Sequence, residues 1–107
     1  MPLLEIATAI AMAIGATLVS TAIVYIVVAT ITYISDWFDE YRRTHTMDAA
    51  AVGFTITESL KSGKIKIIQG VFNTRTGIVE AGRVMEAERQ DDQLRELHKQ
   101  SPVVIYS

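Results

Sequence analysis

Two histidines and one cluster of acids are the residues of this 107-residue chain best suited to chemistry. His45 and His98 lie far apart, and neither H-x-x-x-H nor H-E-x-x-H, the helical spacings that bring two imidazoles onto one metal, occurs. His45 therefore reads as a surface residue rather than one facing a cofactor or quinone, and His98 as the cap of a short helix. Glu86, Glu88, Asp91 and Asp92 lack the D-x-D-x-D-G spacing of a calcium loop. Arg83 and Arg89 interleave with them, which reads as a solvated, charge-balanced face. Gly63-Lys64 and Gly77 do not sit in a phosphate-loop context. With no cysteine, disulfides, thiolate metal sites and cysteine nucleophiles are excluded. No catalytic residue, metal ligand or cofactor is expected, and an enzyme is not the reading. A formal net charge of −2 gives no reason to expect a nucleic-acid partner.

The elements that would position such residues begin with an apolar run. Residues 6–35 contain no Asp, Glu, Lys, Arg, His, Asn or Gln, which is longer than the ~18–20 residues that read as a transmembrane helix. All ten basic residues follow the run, as do all the acids except Glu5. A signal peptide would have a basic start and a shorter apolar stretch, so a retained single span is expected. Arg42 and Arg43 after the run place the N-terminus outside and the C-terminal domain on the cytoplasmic side. Tyr33, Trp37, Phe38 and Tyr41, with Arg42 and Arg43, form the expected membrane-interface border.

The run is not uniform. Its first half is dense in small residues, and two four-residue stripes recur there, Ala7, Ala11, Gly15 and Ala9, Ala13, Thr17. Such stripes let membrane helices approach closely, so they are the expected helix-packing residues. From Ile23 onward the side chains are mostly bulky and β-branched. As one helix the run would reach about 45 Å, against a hydrocarbon core of about 30 Å, so part of it is expected to pack on protein.

Beyond the run, Ile34, Phe38, Tyr41 and His45 share one helical face, and residues 44–53 read as a connector. Phe54 and Ile56 begin a strand, and residues 60–63 are turn-like. Residues 64–73 alternate until Ile67-Ile68 breaks the phase, which predicts a bulge or a strand buried on both faces. Residues 73–77 have hairpin chemistry, with Gly77 suited to a left-handed position. A return strand follows over 78–87, then a short helix capped by Asp91 or Asp92, then a strand over 103–106 expected to pair with the hairpin. The fold class predicted is α+β: one long N-terminal transmembrane helix, then a small antiparallel sheet domain with one short helix. The division is 1–45 for the helix with its juxtamembrane extension and 46–107 for the head. A head of that size without disulfides has a thin stability margin and is expected to lean on a partner.

Gly53-Phe54-Thr55-Ile56-Thr57-Glu58 resembles the processing motif of type IV pilins, in which a glycine precedes the mature start. In that family the motif opens a long apolar helix, whereas here it leads into polar residues, so processing at Gly53 is not expected. The arrangement of an apolar N-terminal helix, a glutamate at position 5 and a β-rich head is also similar to a mature pilin. Two functions are thus expected. The first is a single-pass accessory or scaffold subunit of a membrane complex, with membrane lipid and other transmembrane helices as partners. The alternative is a self-assembling, filament- or pilin-like protein that polymerises through its apolar helix.

Overall fold

A computed structural model describes residues 3–18, 22–99 and 101–106, with side chains at 3, 4 and 15–18 outside that description. The apolar run is split among three elements: helix α1 (Leu3–Leu18), strand β1 (Ile23–Ala29) and the start of helix α2 (Ile31–Thr44). The physical reason lies in the change of side-chain type along the run. Alanine carries little helix cost, whereas β-branched and aromatic residues fit a pleated strand. The alanine-rich half is accordingly helical, and the Ile-Val-Tyr-Ile-Val-Val half is extended.

This corrects the transmembrane reading. Among the described residues no helix is long and apolar enough to cross a membrane. Helix α1 has 16 residues, and at 1.5 Å per residue falls short of a hydrocarbon core of about 30 Å. The single-pass membrane fold class and the outside–cytoplasmic orientation fall together, since no described helix supplies the span they need.

The remaining elements are β2 (Ala51–Ser59), β3 (Ile65–Asn73), β4 (Ile78–Gln90), helix α3 (Asp92–Leu97) and β5 (Val103–Tyr106). The sheet has five strands in the order β1-β4-β3-β2-β5. It is mixed, not antiparallel: β1 runs parallel to β4, while the other pairings are antiparallel. The final strand pairs with β2 and not with the β3–β4 hairpin.

Each face of the sheet carries its own core. Ile6 and Ile10 of α1 pack on Phe54, Phe72 and Val79. On the opposite face Ile34 and Phe38 of α2 and Leu94 of α3 pack on Ile67, Val71 and Met85. The broken alternation at Ile67-Ile68 follows from this arrangement, because β3 lies at the centre of the sheet and is covered on both sides. A register shift near Val71 and Phe72 adds a bulge to the β3–β4 ladder. The two turns use glycines with positive φ, Gly63 at 90° and Gly77 at 73°, a region that costs other residues a steric clash.

Candidate interaction surface

Strand β1 forms one edge of the sheet. Its residues pair in register with β4, from Ile23 opposite Val84 to Ala29 opposite Gln90. Toward α2 and α3, Ile26 packs at the margin of the core and Ala29 is fully buried. On the opposite face, the described core contacts of α1 reach the other strands and leave the side chains of β1 exposed. There Tyr25 is 69% exposed, Val27 58% and Ile23 42%, while Val24, on the side of Ile26, is 39% exposed. Tyr25, Ile26 and Val27 line a groove of about 270 Å³ with Lys64, Glu86 and Glu88 of the neighbouring segments.

An edge strand offers a row of N–H and C=O groups to any further strand. Natural edges are usually blunted by lysine, proline, a bulge or a covering element. Residues 22–30 contain no charge and no proline, and the β1–β4 register runs without a shift. Edge and exposed face together form an apolar strip, flanked by Lys64, Glu86 and Glu88, of the kind that marks protein contact.

Other constellations in the molecule are built for support. The Thr55 hydroxyl lies 2.8 Å from Nε2 of His98 and 2.9 Å from the Tyr106 hydroxyl. A hydroxyl–imidazole pair can in principle make a nucleophile and base. Thr55 is fully buried, however, and Nδ1 of His98 faces the Ser101 carbonyl oxygen at 3.3 Å instead of an acid. The group therefore clamps β2, the end of α3 and β5 together. Burial lowers the His98 pKa and raises that of Tyr106.

A second cluster centres on Arg83. Its Nε donates to Oε1 of Gln69 at 2.8 Å, and its guanidinium lies 4.6 Å from the Tyr33 ring centroid and 5.7 Å from that of Trp37. Gln69, fully buried, donates in turn to the Ile34 carbonyl at 2.6 Å. Among the described residues no carboxylate pairs with Arg83, and its desolvation lowers its pKa. The aromatic faces and the amide oxygen take the place of a counter-ion.

Asp91 joins two helix starts: one carboxylate oxygen accepts from Leu94 N at 2.8 Å and the other from Ile31 N at 3.1 Å. A broad, open hollow of about 610 Å³ lies beside this joint, lined by Ile31, Asp92, Gln93, Glu96 and Leu97. Glu86 faces Lys64 at 4.0 Å, Asp92 pairs with Arg95, and Glu88 is exposed. Among the described residues no group of three metal-ligating side chains converges.

No protein-family model, curated protein or solved structure matches this chain.

The residues expected to pack helices divide between two environments. Ala9 and Ala13 lie on the sheet-facing side of α1 beside Ile6 and Ile10, Ala7 is half-buried, and Ala11 is exposed. The surroundings of Gly15 and Thr17 lie outside the described residues. The border residues all fall on α2. Phe38 is buried against the sheet, Tyr33, Trp37 and Tyr41 are partly buried along it, and Arg42 and Arg43 are exposed beside Asp39 and Glu40. His45 caps α2 and stacks on Tyr41, with ring centroids 4.2 Å apart. Sequence reasoning passed over Tyr25 and Val27. The signal available for them was the switch from alanine to β-branched residues at Ile23.

Proposed function

We propose that this chain is a non-catalytic assembly subunit that takes a β-strand of a protein partner onto the free edge of β1. The observation that carries this reading is the edge position of a seven-residue, uncharged strand whose Tyr25 and Val27 side chains are mostly exposed. Strand addition supplies main-chain hydrogen bonds for affinity and alternate side-chain contacts for specificity. The buried polar groups support the same reading, since Thr55, His98, Tyr106, Gln69 and Arg83 spend their hydrogen bonds within the fold. Helix-mediated polymerisation draws less support, because Ile6 and Ile10 commit the apolar side of α1 to the sheet.

A synthetic peptide with the sequence of residues 23–29, flanked by lysines for solubility, serves as a generic strand probe. Fluorescence anisotropy is expected to show saturable binding to the full chain. Val27→Lys in the chain is expected to weaken it at least ~10-fold, by placing a charge opposite an apolar strand. No binding, or binding indifferent to Val27→Lys in a chain that circular dichroism shows to be folded, would overturn the reading.

A further inference from the structure

Resting on that docking edge, we infer that the strand it accepts is β1 of a second copy of this chain, antiparallel across a two-fold axis through Ile26.

Three observations favour a second copy. First, β1 carries no charge, so a copy of itself meets no like-charge pair across the new ladder. Second, the sequence is self-complementary about its centre. Antiparallel pairing at Ile26 sets Tyr25 opposite Val27 and Val24 opposite Val28, each joining residues on the same face of the sheet. The exposed Tyr25 and Val27 of one copy then cover Val27 and Tyr25 of the other, an aromatic–β-branched pair of the kind that stabilises adjacent strands. Opposed residues also have the same parity. The N–H and C=O groups that point away from β4 in one copy therefore face their counterparts in the other.

Third, the lengths match. β1 offers seven residues to an identical seven, whereas the opposite edge of the sheet, β5, offers four and begins just after Pro102. Head-to-tail growth from β1 onto β5 would form a shorter ladder and leave an open filament. The isologous pairing closes on itself as a dimer with one continuous sheet of ten strands.

Because the chain has no cysteine, cross-linking can read the register. Tyr25→Cys and Val27→Cys are single variants at exposed positions. Directly opposed residues lie about 4.5–5.5 Å apart between Cα atoms, within disulfide reach, whereas Tyr25 and its own symmetry mate lie beyond the ~7 Å limit. A mixture of the two variants under oxidising conditions is expected to give a cross-linked dimer, and each variant alone is not. Analytical ultracentrifugation of the wild-type chain is expected to show a monomer–dimer equilibrium that Val27→Lys shifts to monomer.

A chain that stays monomeric at all concentrations while still binding the strand peptide would overturn the self-pairing and leave the docking edge standing. Failure of both would remove the docking edge itself. Open polymers, or cross-linking of Tyr25→Cys to an Ile105→Cys variant, would replace the two-fold pairing with head-to-tail growth.

Discussion

The carboxylate of Asp91 accepts a hydrogen bond from the backbone N–H of Ile31, sixty positions earlier in the chain, while its other oxygen caps α3. The Asp91 N–H in turn donates to the Ala29 carbonyl at 2.9 Å. One residue thus satisfies orphan donors at the starts of two helices and fixes the end of β1 against the end of β4. Thr30 adds the ordinary cap of α2 by accepting from Tyr33 N at 3.0 Å. Asp91→Ala is expected to cost about 2 kcal/mol, the upper range for a lost cap, because both bonds disappear. Thr30→Ala, which removes one bond, is expected to cost about 1 kcal/mol. Urea unfolding of the two variants side by side checks the order.

Gly53 sits beneath the ring of Phe38, and a Cβ there would stand 2.6 Å from Cε1 of that ring. The ring has little room to move, since the Trp37 and Tyr106 rings flank it at 5.5 and 5.3 Å. Gly53→Ala is expected to destabilise by about 1–3 kcal/mol, the usual cost of overpacking a core. Adding Phe38→Leu should recover part of that loss. At Gly70 the same added Cβ would meet the Ala81 carbonyl oxygen at 2.6 Å. Backbone cannot swing aside as a side chain can, so Gly70→Ala is expected to lower the thermal midpoint more than Gly53→Ala does.

His98 makes stability depend on pH. Burial holds its folded pKa below the ordinary histidine value, so the unfolded chain takes up the proton more readily than the folded one. Stability is therefore full above the unfolded value and is lost as pH falls from there through the lowered folded value. Thermal midpoints measured from pH 7.5 downward should fall across that window, and His98→Asn should flatten the fall. Asp48, held below its ordinary value chiefly by the Ala50 N–H and Asn73, acts in a more acidic range and leaves the histidine window readable.

Arg83 is expected to resist conservative replacement. A lysine would keep the charge but could not donate to Gln69 while lying across the Tyr33 and Trp37 rings as the planar guanidinium does. Arg83→Lys should cost about 1–2 kcal/mol, the scale of one strong hydrogen bond with part of a cation–π contact. Trp37 is the only tryptophan, so its fluorescence reports directly on the loss of the neighbouring cation. An unchanged emission spectrum together with unchanged stability would show that the contact contributes nothing.

Much of the C-terminal part is written locally. The glycine at 77 forces a left-handed turn, Asp91 caps a helix, and Ile34 and Phe38 turn one helical face to the core. These features depend on neighbours a few residues away, and such patterns can be read along the chain. The candidate surface depends on a composition change within the apolar run, from alanine at 22 to β-branched and aromatic residues at 23–28. Uniform hydrophobicity hid that change, because a strand that is apolar on both faces has no alternation to display.

The sequence alone determined that residues 6–35 carry no charge, that no thiol chemistry is available, and where the tight turns fall. Tertiary structure decided what the apolar third becomes. Residues 23–29 find their partners in residues 84–90, and that pairing makes them an edge strand instead of a further stretch of helix. It also decided that His98, Thr55 and Tyr106 meet, although they lie up to fifty-one positions apart. The physical reason is that hydrophobicity is non-directional: it requires residues to leave water, while long-range hydrogen-bonded pairing selects where they go.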